Sequence, residues 1–222
     1  MKRIYGVLGD YYHQDTYARA AIKQACQQLG TATFIQGKIE ALQQLLAEDK
    51  PDILLIAIEN RINPEDPVVH NWLTPELDQA LATYVAEGGR LLALHAGLAS
   101  YPMDSQYVGL LKGYFVSHPN EHCSVRYVAE KNTPLTNAPA IDYEILDEFY
   151  VVEVQKEATT IFMTAHSLHG IQPAGWFHDH GKGQVMCLVP THNQVGYEHP
   201  STSDLLAQAF EYLLGFGPLG GK

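Results

Sequence analysis

The sequence is poor in cysteine and in positive charge. Its 3 cysteines, Cys26, Cys123 and Cys187, are widely spaced and form no C-x-x-C motif. Such a set predicts reduced thiols in a cytoplasmic protein. The 14 Lys and Arg residues face 25 Asp and Glu residues, which gives a net charge of -11, and no basic run exceeds Lys2-Arg3. Nucleic acids and anionic membranes both require basic patches, so we expect neither as a partner.

Long apolar runs and compact metal motifs are also missing. No segment reaches the roughly 18 apolar residues that a membrane-spanning helix needs. The N-terminal "MKRIYGVLGD" indicates a strand rather than a signal peptide, because no apolar core and cleavage site follow it. Without an H-E-x-x-H motif, any metal site must be assembled from distant segments. The unusual feature that is present is the count of 11 histidines.

Apolar runs alternate with helical patterns through the first half of the chain. The pattern predicts strands at "RIYGVLG", "ATFIQG", "DILLIAIE" and "RLLALH", with helices at 15–29, 39–48 and from Pro75 to the glycines at 88–89. Thr74 is the expected N-cap of the third helix, since Pro75 suits the first helical position. This β-α-β order predicts an α/β fold with a doubly wound sheet.

The second half of the chain has a more mixed pattern. "CSVRYVAE", "YEILDEFYVVEV" and "TIFMTAH" read as strands, several of them antiparallel, and "PAGWFHDHGKGQVMCLVP" reads as a hairpin. An amphipathic helix is expected from Ser203 to Leu214. No repeat or linker interrupts the chain, so we expect one α/β domain over residues 1–215 and a flexible tail at 216–222.

Polar side chains follow several of the predicted strands. In open α/β sheets, ligands bind beyond the carboxyl ends of the strands. The residues at those ends are Asp10 and His13, Glu59 and Asn60, His95, and His192. Two further segments add candidates: "GYFVSHP" places His118 in a loop, and "YEILDEFYVV" places Glu148 and Tyr150 within one strand or at a turn in it. The pattern therefore predicts a polar site at one edge of the sheet.

Each candidate also has an ordinary structural interpretation. A loop histidine such as His13 or His118 can be solvated, and His95 can be a core histidine bonded to the backbone. Glu148 can face solvent from a strand, and Trp176 can be a buried aromatic rather than part of a ligand pocket. The His178-x-His180 pair has the spacing of metal ligands, but its predicted position in a hairpin turn favours a solvated loop.

The order of these segments resembles the ThuA-like (trehalose utilisation) family of the class I glutamine amidotransferase-like superfamily. The resemblance rests on "LTPELDQALATYVAEGGRLLALHAG", "LLKGYFVSHP", "DEFY" and "AGWFHDHGKGQVMCLVPTHN". It implies a flavodoxin-like three-layer α/β sandwich with a mostly parallel central sheet and some antiparallel strands in the second half. The late Gly-His motif of many members reads Thr191-His192 here, which is a departure from the family pattern.

The resemblance also implies a site built from His95, His118, Glu148 and Tyr150. His95 and His118 would act as general acid/base groups or as metal ligands, Glu148 as base or ligand, and Tyr150 as a hydrogen-bond donor. Imidazole and carboxylate ligands suit Zn²⁺ or Mn²⁺, so His95, His118 and Glu148 are the expected metal ligands if a metal is bound. His13, Glu59, Asn60, Trp176 and His192 are the expected substrate-binding residues.

The implied function is a cytoplasmic enzyme of carbohydrate metabolism that acts on a small trehalose-derived or keto-sugar substrate. Proton transfer beside a carbonyl, in an isomerase or lyase, and metal-assisted hydrolysis both fit these residues. A non-catalytic sugar-binding or regulatory module is the alternative. A homodimer is compatible with the fold class, although no residue indicates one.

Glutaminase chemistry is disfavoured on the same comparison. Related amidotransferases carry a nucleophilic cysteine at the turn after the central strand, whereas this chain reads Leu94-His95-Ala96-Gly97 there. An activated thiolate needs an exposed position beside a base, and neither Cys123 nor Cys187 has an obvious one.

Overall fold

The computed structural model describes residues 1–130, 135 and 141–215. The strands are β1 (Lys2–Leu8), β2 (Ala32–Gln36), β3 (Ile53–Ala57), β4 (Arg90–Leu94), β5 (Gly113–Ser117), β6 (Cys123–Ala129), β7 (Asp142–Asp147), β8 (Val151–Val154), β9 (Thr160–Ser167), β10 (Gly170–His180) and β11 (Gly183–Leu188). The α-helices are α1 (Asp15–Leu29), α2 (Ile39–Glu48), α3 (Pro75–Ala86), α4 (Gln106–Leu111), α5 (Gln194–Glu198) and α6 (Pro200–Leu213).

One large sheet organises the described part of the chain. Its nine strands lie in the order β2-β1-β3-β4-β11-β10-β9-β6-β7. The first five run parallel, and each later neighbour pairs antiparallel with the one before it. A separate antiparallel pair joins β5 to β8. The predicted α/β fold, a parallel sheet extended by antiparallel strands from the second half of the chain, is confirmed.

The helices form two groups. α1 packs against α5 and α6, whereas α3 contacts both α2 and α4. Right-handed crossovers place the two groups on opposite faces of the sheet. From β1 the chain first crosses to β2 at one edge of the sheet, and it then turns back past β1 to β3 and β4. β3 is therefore covered on both sides, and all five residues of its "ILLIA" segment are buried.

Local signals agree with most of the predicted elements. The helices at 15–29 and 39–48 have the predicted bounds, and Oγ1 of Thr74 accepts a hydrogen bond from the Leu77 amide as the N-cap of α3. The last helix begins at Pro200 rather than Ser203. No described helix is long and apolar enough to cross a membrane. The predicted tail at 216–222 lies outside the described residues.

The structure decides two segments that the sequence pattern left open. "YEILDEFYVVEV" is not continuous, since β7 ends at Asp147 and β8 begins at Val151. "GYFVS", for which no strand was predicted, is the strand β5, and its partner β8 starts where the longer segment breaks. The break at residues 148–150 matters for the site, because it releases Glu148 and Tyr150 from the ladder of β7.

Candidate functional site

The carboxyl ends of β1, β4 and β11 bring three histidines together. His13 follows β1, His95 follows β4, and His192 follows β11. The centroid of the His13 ring lies 5.1 Å from that of the His95 ring and 4.8 Å from that of the His192 ring. The expectation that the strand ends converge is met for these residues, since neighbouring parallel strands end at one edge of the sheet.

His95 lies at the turn that follows β4. It opens a 3₁₀ helix, His95–Leu98, and its φ of 46° is in the left-handed region that side chains seldom adopt. Gly97 lets this turn press against β3, because a Cβ there would lie 2.2 Å from the Ile56 carbonyl oxygen. Nδ1 of the buried His95 ring is 2.8 Å from the Val189 carbonyl oxygen.

Glu148 completes the cluster from the break between β7 and β8. One ligand atom each from His13, His95, Glu148 and His192 lies within 4.8 Å of all the others. Oε2 of Glu148 is 3.5 Å from Nε2 of His95 and 3.2 Å from Nδ1 of His192. These four residues, His13, His95, Glu148 and His192, are called the inner cluster below.

Backbone and carboxylate acceptors set the orientation of two inner-cluster rings. The Val189 carbonyl can only accept a hydrogen bond, so Nδ1 of His95 carries the hydrogen and its Nε2 presents a lone pair when the ring is neutral. Oδ1 of Asp10 likewise accepts a hydrogen bond from Nδ1 of His13, at 2.6 Å, so Nε2 of neutral His13 also presents a lone pair. Contacts of this kind fix the tautomer of metal-binding histidines.

Three inner-cluster nitrogens are buried without a hydrogen bond inside the described part of the chain. They are Nε2 of His13, Nε2 of His95 and Nδ1 of His192. Buried polar atoms normally have partners, so such a group calls for an explanation. Nε2 of neutral His95 and the Glu148 carboxylate are both acceptors that face each other, and a cation between them would satisfy both.

The charges in the site follow from burial and proximity. Burial opposes ionisation of Glu148, but His192 and His95 outweigh it and hold the pKa of this carboxyl far below its usual range. Burial lowers the pKa of His95, only partly offset by Glu148, which favours the neutral ring. For His192, burial lowers the pKa and the adjacent Glu148 carboxylate more than reverses this, so the pKa is raised.

Asp147 holds the loop that carries His192. Its Oδ1 accepts a hydrogen bond from the His192 amide at 2.9 Å, and its Oδ2 accepts one from the Tyr127 hydroxyl at 2.8 Å. Asp147 is fully buried. The two carboxylates at the end of β7 therefore point to different tasks, with Asp147 fixing the backbone and Glu148 facing the histidines.

His118 and His122 lie on the other side of Glu148. Nε2 of His118 is 3.6 Å from Oε1 of Glu148, and Nε2 of His122 is 3.8 Å from the same oxygen. His118 was a predicted site residue, and it lies at Glu148 but outside the inner cluster. His122 was missed by the sequence reasoning, although it lies only four residues after His118.

Tyr150 forms a wall of the site. Its buried ring stacks on His95 at 4.3 Å between centroids and contacts Phe115 at 4.3 Å. Burial, reinforced by Glu148, raises the pKa of Tyr150 well above its ordinary value, so the hydroxyl keeps its proton. That is the state required of the hydrogen-bond donor predicted from the sequence.

Glu59 and Asn60 lie behind His13 and are buried. The Glu59 amide donates to Oδ2 of Asp10 at 2.8 Å, and Oε2 of Glu59 accepts from Arg61 at 2.7 Å and from Ser100 at 2.9 Å. Oδ1 of Asn60 accepts from the Leu73 amide. Their role in substrate binding stays a prediction, and the Glu59 amide links this segment to Asp10.

Trp176 requires a correction. It was expected to line a ligand pocket, but its side chain is 0% exposed and its indole donates to the Leu111 carbonyl at 2.7 Å. The Gly-Trp sequence does not indicate on which face of β10 the ring lies. In the structure the ring is packed in the hydrophobic core. His178 and His180 also lie within β10 rather than in a turn, and Nε2 of His178 contacts the Leu110 carbonyl at 2.9 Å.

The three cysteines lack the exposed position that an activated thiolate needs. All three are buried and free. Burial raises the pKa of the Cys26 thiol to about 11 and that of Cys187 well above its ordinary value. Thiols in this state are poor nucleophiles, in agreement with the argument against glutaminase chemistry.

The comparisons with known proteins agree with this architecture. The sequence profile of the ThuA family, described as trehalose utilisation, matches residues 12–213. A ThuA-like protein from Parabacteroides merdae has 14% identity and a TM-score of 0.76, over 100% of this chain and 92% of that one. A ThuA-like protein from Bacteroides uniformis has 15% identity and a TM-score of 0.69, over 96% and 90%.

Two further structures share the fold in different settings. A cytoplasmic protein from Salmonella typhimurium has 12% identity and a TM-score of 0.64, over 96% of this chain and 99% of that one. A β-galactosidase from Rahnella sp. R3 has 12% identity and a TM-score of 0.67, over 96% of this chain but only 32% of its own. No curated protein matches the sequence.

Proposed function

The chain belongs to the ThuA trehalose-utilisation family, and we propose that it is an enzyme that binds a divalent cation in the inner cluster and acts on a small carbonyl-containing sugar. Zn²⁺ and Mn²⁺ are the cations that suit a site of imidazole nitrogens and a carboxylate. The sugar class is inferred from the family, since trehalose utilisation is a pathway of disaccharide chemistry.

One observation carries the metal assignment. Three buried imidazole nitrogens without hydrogen bonds in the described chain converge with Glu148 within 4.8 Å. Two ligands of a tetrahedral zinc ion lie about 3.4 Å apart when each is about 2.1 Å from the metal. The separations of 3.5 Å and 3.2 Å from Glu148 to His95 and His192 match that value.

The chain's own residues support chemistry at this position. A bound divalent cation supplies Lewis-acid polarisation of a carbonyl oxygen. The inner cluster orients that carbonyl, and the protonated Tyr150 hydroxyl donates a hydrogen bond to a neighbouring sugar oxygen. Polarisation of a carbonyl would promote proton transfer at the adjacent carbon, and the same cation would lower the pKa of water for hydrolysis of a glycosidic bond, so the proposal covers both reaction classes.

The proposal also covers the protein's cellular location, its ligand and its oligomeric state. We place it in the cytoplasm because its three cysteines are free and one structural neighbour is a cytoplasmic protein. The expected ligand is one small sugar, and a homodimer remains a proposal to be checked by solution scattering.

Metal content tests the function first. Untagged protein should contain a tightly held Zn²⁺ or Mn²⁺, and His95→Ala should lose it while retaining its fold. His70→Ala is the matched control, because His70 is exposed and outside the site. Wild-type protein that binds neither cation at micromolar concentration would refute the proposal.

Turnover then separates the reaction classes. Keto-disaccharides should either take up solvent deuterium beside the carbonyl, which indicates proton transfer, or release a monosaccharide, which indicates hydrolysis. Saturable binding of the sugar with neither product would favour the non-catalytic module instead.

A further inference from the structure

We propose that the protein holds a second divalent cation, bound by His118, His122 and the Oε1 oxygen of Glu148, so that Glu148 bridges two metal positions. The inference rests on the proposed function, because it extends the inner cluster to a two-metal centre. His118 and His122 are called the outer pair below.

The two oxygens of Glu148 face different histidines. Oε2 is directed to His95 and His192, and Oε1 is directed to the outer pair. A carboxylate with a pair of imidazoles at each oxygen has the form of a bridging ligand. In known two-metal sites the ions lie about 3.5–4 Å apart, a span that one carboxylate can bridge.

Each nitrogen of the outer pair lies at a distance from Oε1 that would allow an ion between them. Nε2 of His118 and Nε2 of His122 lie 3.6 Å and 3.8 Å from Oε1, too far for hydrogen bonds to the carboxylate. Two ligands about 2.1 Å from one metal lie about 3.4–3.8 Å apart when the angle at the metal is tetrahedral or somewhat wider.

The orientation of His118 supports the same assignment. Its Nδ1 is 2.7 Å from the Pro119 carbonyl oxygen, which accepts the hydrogen and leaves a lone pair on Nε2 of the neutral ring. That lone pair is directed to the Glu148 carboxylate, which is also an acceptor. Two facing acceptors are therefore present here as at His95, and a cation between them would satisfy both in the same way.

The outer position is open, unlike the inner one. The side chains of His118 and His122 are 34% and 36% exposed, whereas that of His95 is 2% exposed. Three protein ligands at an exposed position leave coordination sites for water or substrate, as in catalytic rather than structural metal sites. Two adjacent ions favour a substrate with two neighbouring oxygens, such as the carbonyl and adjacent hydroxyl of an α-hydroxyketone sugar.

Metal stoichiometry tests the inference. Metal-depleted wild-type protein titrated with Zn²⁺ should bind two equivalents, and His118→Ala/His122→Ala should bind one. His122→Ala alone, the milder change, should weaken the second equivalent selectively. His70→Ala serves again as the control and should keep two, with circular dichroism used to check that each variant is folded.

The outcomes separate this inference from the proposed function. One equivalent in both wild type and the double variant overturns the second position and leaves the inner cluster intact. Two equivalents in both also overturns it, because the second ion then lies elsewhere. No binding in the wild type refutes both proposals. With Mn²⁺, the wild type should give the electron paramagnetic resonance signal of coupled ions, and the double variant that of isolated Mn²⁺.

Discussion

Asp10 holds His13 in the orientation that a metal ligand requires. Oδ1 of Asp10 lies 2.6 Å from Nδ1 of His13, and the same oxygen accepts hydrogen bonds from the amides of Tyr12 and His13. Nε2 of His13 is thereby left for the inner cluster. The carboxylate sets the ring from behind, as the partners of metal-bound histidines commonly do.

The first prediction follows from this contact. Asp10→Asn keeps the size of the side chain but weakens its hold on Nδ1 of His13, so the inner-site affinity for Zn²⁺ should fall by about 10- to 100-fold. Competition with a chromophoric chelator measures the change. Asp66→Asn, at an exposed position, should leave the affinity unaltered. An Asp10 variant that is folded and binds as tightly as wild type would contradict the assigned role.

A second prediction concerns the support beneath His192. Tyr127→Phe removes the buried hydroxyl that donates to Oδ2 of Asp147. Hydrogen bonds to charged groups contribute about 1.5–3 kcal/mol, so the free energy of unfolding should fall by about that amount. Urea denaturation checks it, with Tyr11→Phe as control because Tyr11 is 60% exposed. Equal stabilities of the two variants would show that Asp147 finds another donor.

The third prediction is the pH dependence of metal binding. Glu148 raises the pKa of His192 above the ordinary 6.5 despite the opposing effect of burial. A metal must displace that proton, so the apparent affinity should fall as the pH drops through the raised pKa. Calorimetry in buffers with different ionisation enthalpies should detect proton release on binding near neutral pH. His192→Ala should release fewer protons, and equal release from both proteins would contradict the assignment.

The sequence predicted the location of the site, at the carboxyl ends of the parallel strands, better than it predicted which side chains contact each other there. His13, His95 and His192 each follow an apolar run, and parallel strands necessarily bring their ends together. Glu148 was a candidate from its segment as well as from the family resemblance, but its contacts with the histidines depend on the break between β7 and β8. The strand pattern allowed either one continuous strand or a turn at these residues and could not decide between them.

Other features depend on tertiary contacts that leave no local signal. His122 stands in a polar loop and resembles any solvated histidine until the chain folds back over Glu148. Trp176 follows a glycine, which says nothing about the face of β10 on which the ring lies. β5 was not predicted because β8, its partner in the described part of the chain, is distant in sequence.

The last prediction concerns the turn that carries His95. Gly97→Ala would bring a Cβ to 2.2 Å from the Ile56 carbonyl oxygen, which is backbone in the centre of the sheet and cannot move aside cheaply. Overpacking of this kind costs about 1–3 kcal/mol, and the displaced turn should also weaken metal binding at His95. Gly109→Ala is the matched control, since no atom lies within 4 Å of its added Cβ, and alanine in a helix should be neutral or stabilising by up to about 1 kcal/mol. Thermal unfolding and zinc titration of both variants give the answer. Equal stability and equal zinc affinity in the two alanine variants would mean that the contact with β3 does not position His95.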